Sequence, residues 1–152
     1  MREISLVKTV RLYVVFAAFM LLATGLAKMI SAMGDAGILS RSDPVFGLKN
    51  RHVMISVGLI ELALFAFLVF GKQYILQLTA IFFLSINFVV YRLSALLKGS
   101  ESPCACLGSL TESIGISTKA ADLVAMAVLA YLFIGSAVFL AISKRTKLKE
   151  SG

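Results

Sequence analysis

A bundle of four membrane-spanning α-helices is the fold class this sequence predicts, and three observations predict it. Apolar residues make up 59% of the 152 and charged ones only 15%, a balance too apolar for an ordinary soluble domain. Charge is missing from four long runs: residues 12–27, 52–71 apart from Glu61, 73–91 and 123–143. Three of these approach or reach the roughly 20 residues that cross a bilayer core, and the first does so once the Lys28 stem snorkels and Met29 and Ile30 are counted. Finally, the basic residues gather at the tails and loop ends, flanking the apolar runs.

The first helix spans residues 6–33 and overlaps a short basic head, residues 1–9 with Arg2 and Lys8, with Arg11 following near the helix start. Its apolar stretch exceeds a signal-peptide core, and Ser31-Ala32-Met33 is a poor cleavage site, so the helix is expected to be retained. Gly34 and Asp35 end it. A loop follows, with Gly37, Pro44 and Gly47, in which Asp43-Pro44 starts a turn. The second helix covers 51–70, and Gly71-Lys72 makes a tight hairpin into the third, 73–97, so these two should be antiparallel neighbours. Residues 98–117 form a polar loop. The fourth helix covers 118–143, capped by Ser117 or Thr118, with Asp122 placed to suit the helix dipole. Lys144, Arg145, Lys147 and Lys149 form a basic stop. No internal repeat divides the chain, so one domain is expected over 1–152.

The net charge of +7 is no nucleic-acid signal, because the basic residues lack aromatic interleaving on a soluble face; it suits anchorage in an anionic bilayer. Four crossings put both termini on one side. That side carries eight Lys and Arg (Arg2, Lys8, Arg11, Lys72, Lys144, Arg145, Lys147, Lys149) against seven on the other. Lys28 and Arg92 fall within helices, and Asp35, Asp43, Glu101 and Glu112 dilute the second side. The expected orientation therefore has cytoplasmic termini in a bacterial inner membrane.

Both cysteines of the chain, Cys104 and Cys106, lie in the 98–117 loop. Two extended residues span at most about 7 Å between Cα atoms, while a disulfide prefers roughly 4.4–6.8 Å with a near-perpendicular torsion. A bond between them needs a bend at Ala105 and keeps some strain. Strained, exposed disulfides are the labile ones, suited to exchange, and so short a loop makes a poor staple. Pro103 stiffens the approach and Gly108 permits the turn after it. Two soft thiolates also suit Cu(I), although the loop offers no Met or His to complete such a site.

Three ionisable residues fall at bilayer depth within the predicted helices, all in the outer half. Lys28 and Arg92 are each about one and a half turns from the ends of their helices, and Glu61 is roughly 13 Å into the second helix. Charges at such depth face inward and pair, so Glu61 is expected to pair with Lys28 or Arg92, either to fix helix packing or to support the thiols. Asn87, Tyr91, Ser94 and Lys98 share a face of the third helix, which serves interhelical hydrogen bonding or contact with a membrane quinone head. Ala121, Ala125 and Gly135 read as close-packing positions. His52, the single histidine, reads as interfacial.

Gly25-x-x-Lys28 in the first helix, Glu61 after Gly58 in the second, and Cys104-Ala105-Cys106-Leu107-Gly108 before the last resemble the MauE group of MauE/DoxX membrane proteins, from about residue 10 to 140. Leu107 stands where Phe is expected in that family. The resemblance implies a DoxX-like four-helix inner-membrane protein, with Cys104 and Cys106 as a redox pair. It also implies a role like that of MauE in maturing the disulfide-rich small subunit of methylamine dehydrogenase beside a thioredoxin-like partner. Thiol–disulfide exchange on extracytoplasmic proteins is the function expected; the competing reading is a non-catalytic DoxX-like small subunit of a larger respiratory complex.

Overall fold

A computed structural model of the chain describes residues 2–34, 37–98 and 118–150. Four long helices dominate it: α1 (Arg2–Met33), α2 (Asn50–Phe70), α3 (Tyr74–Leu97) and α4 (Thr118–Glu150), with a short 3-10 turn (Gly37–Ser40) between the first two. Each long helix contains a stretch long and apolar enough to cross a membrane: Val7–Met33, Asn50–Phe70, Tyr74–Leu97 and Asp122–Ser143. This is an all-α, multi-pass membrane protein. Helices α1 and α4 run past the expected limits into their basic flanks, since extending a formed helix costs far less than starting one.

Burial follows one stripe per helix. On α1 it runs through Val10, Tyr13, Val14, Ala17, Ala18 and Leu21, and the same stripe continues through Gly25 and Lys28 to Ala32. On α2 it passes through Met54, Gly58, Glu61 and Leu68; on α3 through Gln77, Leu78, Ile81 and Ser85. These steps of three and four residues are the helical period. The opposite faces expose Leu12, Phe19, Phe83, Leu123 and other large apolar side chains, as lipid-facing surfaces do.

The bundle has two ends. At the hairpin end, Gln77 Nε2 donates to the carbonyls of Leu68 and Gly71, both at 2.9 Å, satisfying backbone acceptors that α2 leaves open where it stops. Nearby, Gly135 of α4 lies against the Tyr13 ring, whose hydroxyl donates to Leu132 O at 2.8 Å.

At the other end, residues 41–50 fold back on themselves. Ser42 and Lys49 form an antiparallel bridge, Asn50 N–H donates to Arg41 O at 2.9 Å, and Gly47 sits at φ 68°, where a side chain would be strained. Leu39 packs on Ala32 and Met54, pinning this segment to α1 and α2.

One expectation is corrected. Although only a short hairpin joins them, α2 and α3 scarcely touch: α2 packs along α1, and α3 along α4. The Gly25–Gly58 crossing described below draws α2 onto α1. Phe67, Phe83 and Phe88 stand among the residues lining the gap left between α2 and α3.

Candidate functional site

Cys104, Cys106, Pro103 and Gly108 lie outside the described residues, as does Ser117. In sequence they fall between Lys98, which follows α3, and Thr118, which starts α4, and both of those residues lie at the end of the bundle where Lys28, Glu61, Arg92 and Asp122 are found.

The Lys28–Glu61 pair is built by backbone proximity. Gly25 precedes Lys28 by three residues and Gly58 precedes Glu61 by three, so each glycine shares its helix face with a charge. A Cβ on Gly25 would stand 3.3 Å from both Gly58 O and Glu61 Cβ, and one on Gly58 would stand 3.2 Å from Gly25 O. Small residues at a membrane helix crossing let backbones approach this closely. The approach lets Lys28 Nζ donate to both carboxylate oxygens of Glu61, at 2.7 and 2.8 Å. Only 8% of Lys28 and 2% of Glu61 remain exposed, and Lys28 Nζ also stands 5.7 Å from the centre of the Phe88 ring.

Arg92 takes a different partner. Its guanidinium is ion-paired to Asp122 of α4. Asp122 therefore ties α3 to α4, and it lies beyond the first turn of α4 rather than serving the helix dipole there. Of the three expected cluster members, Lys28 and Glu61 pair directly, while Arg92 joins the cluster through a shared cavity of about 90 Å³. Thr24, Lys28, Glu61, Tyr91, Arg92 and Ala125 are among its lining residues. An α1–α2 ion pair and an α3–α4 ion pair thus border one small space among all four helices.

The polar face of α3 divides its work. Asn87 Nδ2 donates to Phe83 O and Ser94 Oγ to Val90 O, each at 2.8 Å within the helix. Tyr91 instead donates its hydroxyl to Asp43 Oδ2, and Lys98 Nζ donates to Pro44 O at 2.6 Å. Asp43 Oδ1 accepts the backbone N–H groups of Val45 and Phe46, both at 2.8 Å, and the Phe46 ring stacks on Tyr91 at 5.6 Å. The turn expected at Asp43-Pro44 is therefore also a latch between the 41–50 segment and α3. Replacing Asp43 with Ala removes the acceptor for two backbone donors and should cost about 1–3 kcal/mol. Hydrogen exchange should show the Val45 and Phe46 amides losing protection while those of mid-α1 keep theirs; unchanged protection at 45 and 46 would contradict the latch.

His52 is exposed. Among the described residues, no three His, Cys, Asp or Glu side chains converge as a metal site. Sequence reasoning missed Asp43 and Asp122 as partners, although Asp122 stands seven residues before Leu129 and ten before buried Leu132, the helical spacing that marks an inward face.

A family model described as methylamine utilisation protein MauE matches residues 3–145. No curated protein and no solved structure matches the chain.

Proposed function

The chain belongs to the MauE family, and from that premise we propose that it carries out or supports thiol–disulfide exchange on extracytoplasmic proteins, through Cys104 and Cys106. The observation that carries the reading is the placement of the chain's cysteines in the sequence, one residue apart between α3 and α4 and within the matched region. By family kinship the client is a disulfide-rich protein of methylamine metabolism or a thioredoxin-like partner that serves it. The charge count favours cytoplasmic termini in a bacterial plasma membrane, with the cysteine loop on the opposite, oxidising side.

In the reducing direction, a thiolate of the pair attacks one sulfur of the partner's disulfide. An S–S bond forms between the proteins as the partner's own breaks, and the released sulfur takes a proton. The second cysteine then attacks the mixed disulfide, freeing the partner as a dithiol and leaving Cys104 bonded to Cys106. Two electrons and two protons have passed to the partner; the oxidising direction is the reverse. The half-buried Arg92–Asp122 ion pair holds together α3 and α4, the helices on either side of the cysteine stretch, and the buried Lys28–Glu61 pair holds α1 to α2 beside them.

The test combines sidedness with trapping. In intact cells, a membrane-impermeant maleimide should label the reduced pair. Of Cys104→Ser and Cys106→Ser, the variant lacking the resolving thiol should accumulate a mixed disulfide with the partner, visible on non-reducing gels, and the double variant should show none. Function retained in the double variant would end the exchange reading and leave a non-catalytic subunit of a larger complex.

A further inference from the structure

The gap between α2 and α3 is a cleft of about 680 Å³, within the range of small-molecule sites. Its α2 wall includes Val57, Ile60 and Phe67; its α3 wall includes Ala80, Leu84 and Phe88. From Ala80 to Tyr91 it follows α3 for about 16 Å at 1.5 Å per residue, about half the hydrocarbon thickness of a bilayer. Polar groups line it as well: Lys28, Asp43, Asn50, Asn87 and Tyr91, with the stacked Phe46 and Tyr91 rings at the loop end. It is an apolar channel with one polar end.

The chemistry of that end discriminates among membrane molecules. A phosphate head needs an uncommitted cation. The lining cation, Lys28, already holds both oxygens of Glu61, and the neighbouring Asp43 carboxylate would repel an anion. What the end offers is hydrogen-bond donors to a neutral acceptor. An ammonium has three N–H groups, of which Lys28 gives two to Glu61. An amide has two, of which Asn87 gives one to Phe83 O. Flat aromatic rings (Phe46, Phe88, Tyr91) add stacking surfaces.

We propose that this cleft binds an isoprenoid quinone, a neutral planar ring with two carbonyl acceptors and a prenyl tail. The ring lies at the Lys28, Asn87 and Tyr91 end, and the tail runs between α2 and α3 toward Phe67 and Ala80. This goes beyond the thiol-exchange reading and does not depend on it: the site contains no cysteine, and its test involves none.

The test is photolabelling of the detergent-purified, full-length protein with an azido-ubiquinone analogue, followed by peptide mass spectrometry and competition with decylubiquinone. Label should fall on the peptides carrying Phe46, Phe88 or Tyr91 and be displaced by decylubiquinone. Ala63→Phe and Ala80→Phe, which fill the cleft, should cut labelling at least tenfold. Asn87→Leu should weaken decylubiquinone competition about tenfold, the equivalent of one good hydrogen bond. Ala130→Phe, at an exposed position of α4, should change nothing. Helicity and gel-filtration profile identify any variant that fails to fold, and Ala63→Phe and Asn87→Leu do not depend on the Ala80 variant. Equal labelling of the cleft variants and Ala130→Phe would overturn the proposal. Displacement by phosphatidylglycerol as effective as by decylubiquinone would also do so, by showing a lipid acyl-chain groove.

Discussion

Glu61→Gln or Lys28→Met should each destabilise the folded bundle by about 3–5 kcal/mol, because each strands its partner as a buried, uncompensated charge. Burial decides the size: the pair is contacted at 2.7 Å with side chains only 10% and 3% exposed, so solvent and salt cannot screen what remains, as they would for a surface pair. The double variant Lys28→Met/Glu61→Leu separates the pair's own worth from the penalty of breaking it. Replacing a whole buried pair by apolar groups of similar size is often neutral or better, so the double variant should recover most of the stability. Reversible unfolding in SDS, followed by helicity, of the unsubstituted protein, Lys28→Met, Glu61→Leu and the double variant gives all four corners of the cycle. Additive losses in the double variant would mean that the two residues do not act as a pair.

Gly135→Ala should be the second large effect. A Cβ at Gly135 would stand 2.3 Å from Tyr13 Cε2 and 2.9 Å from Cζ. The ring has little freedom to yield: Tyr13 is 5% exposed, its hydroxyl is bonded to Leu132 O, and it packs against Tyr131 and Phe139 at 5.3 and 5.2 Å. Overpacking of this kind costs about 1–3 kcal/mol. Tyr13→Leu in the Gly135→Ala background should recover part of that loss by removing the ring that clashes, although Tyr13→Leu alone is destabilising. A shift in the unfolding midpoint that is equal with and without Tyr13 would place the strain elsewhere.

These variants probe residues with different degrees of legibility. Lys28 and Glu61 stand out because a charge in an apolar run is costly unless inward and paired, and the equal spacing of Gly25-x-x-Lys28 and Gly58-x-x-Glu61 marks two faces that can meet. Arg92 stands out for the same reason, but its partner does not. Asp122 lies near the start of its helix, where the dipole offers a sufficient local account of an acidic residue, and that account hides the interhelical one. Asp43 is hidden in the same way by its turn. Tyr13 looks like any aromatic in an apolar segment until Gly135 is seen beneath it.

Composition, hydropathy and the three-and-four spacing of small and charged residues determine that this chain makes four bilayer-length helices, and which face of each turns inward. Those properties are set within a helix, by solvent and by a fixed 3.6-residue period, so neighbouring residues suffice to reveal them. Tertiary structure alone decides which helices lie side by side: α2 against α1 and α3 against α4, Lys28 to Glu61 and Arg92 to Asp122, with a cleft where the hairpin connection implied contact. The choice depends on how closely two backbones can approach, and that is a property of two surfaces meeting, which neither segment carries alone.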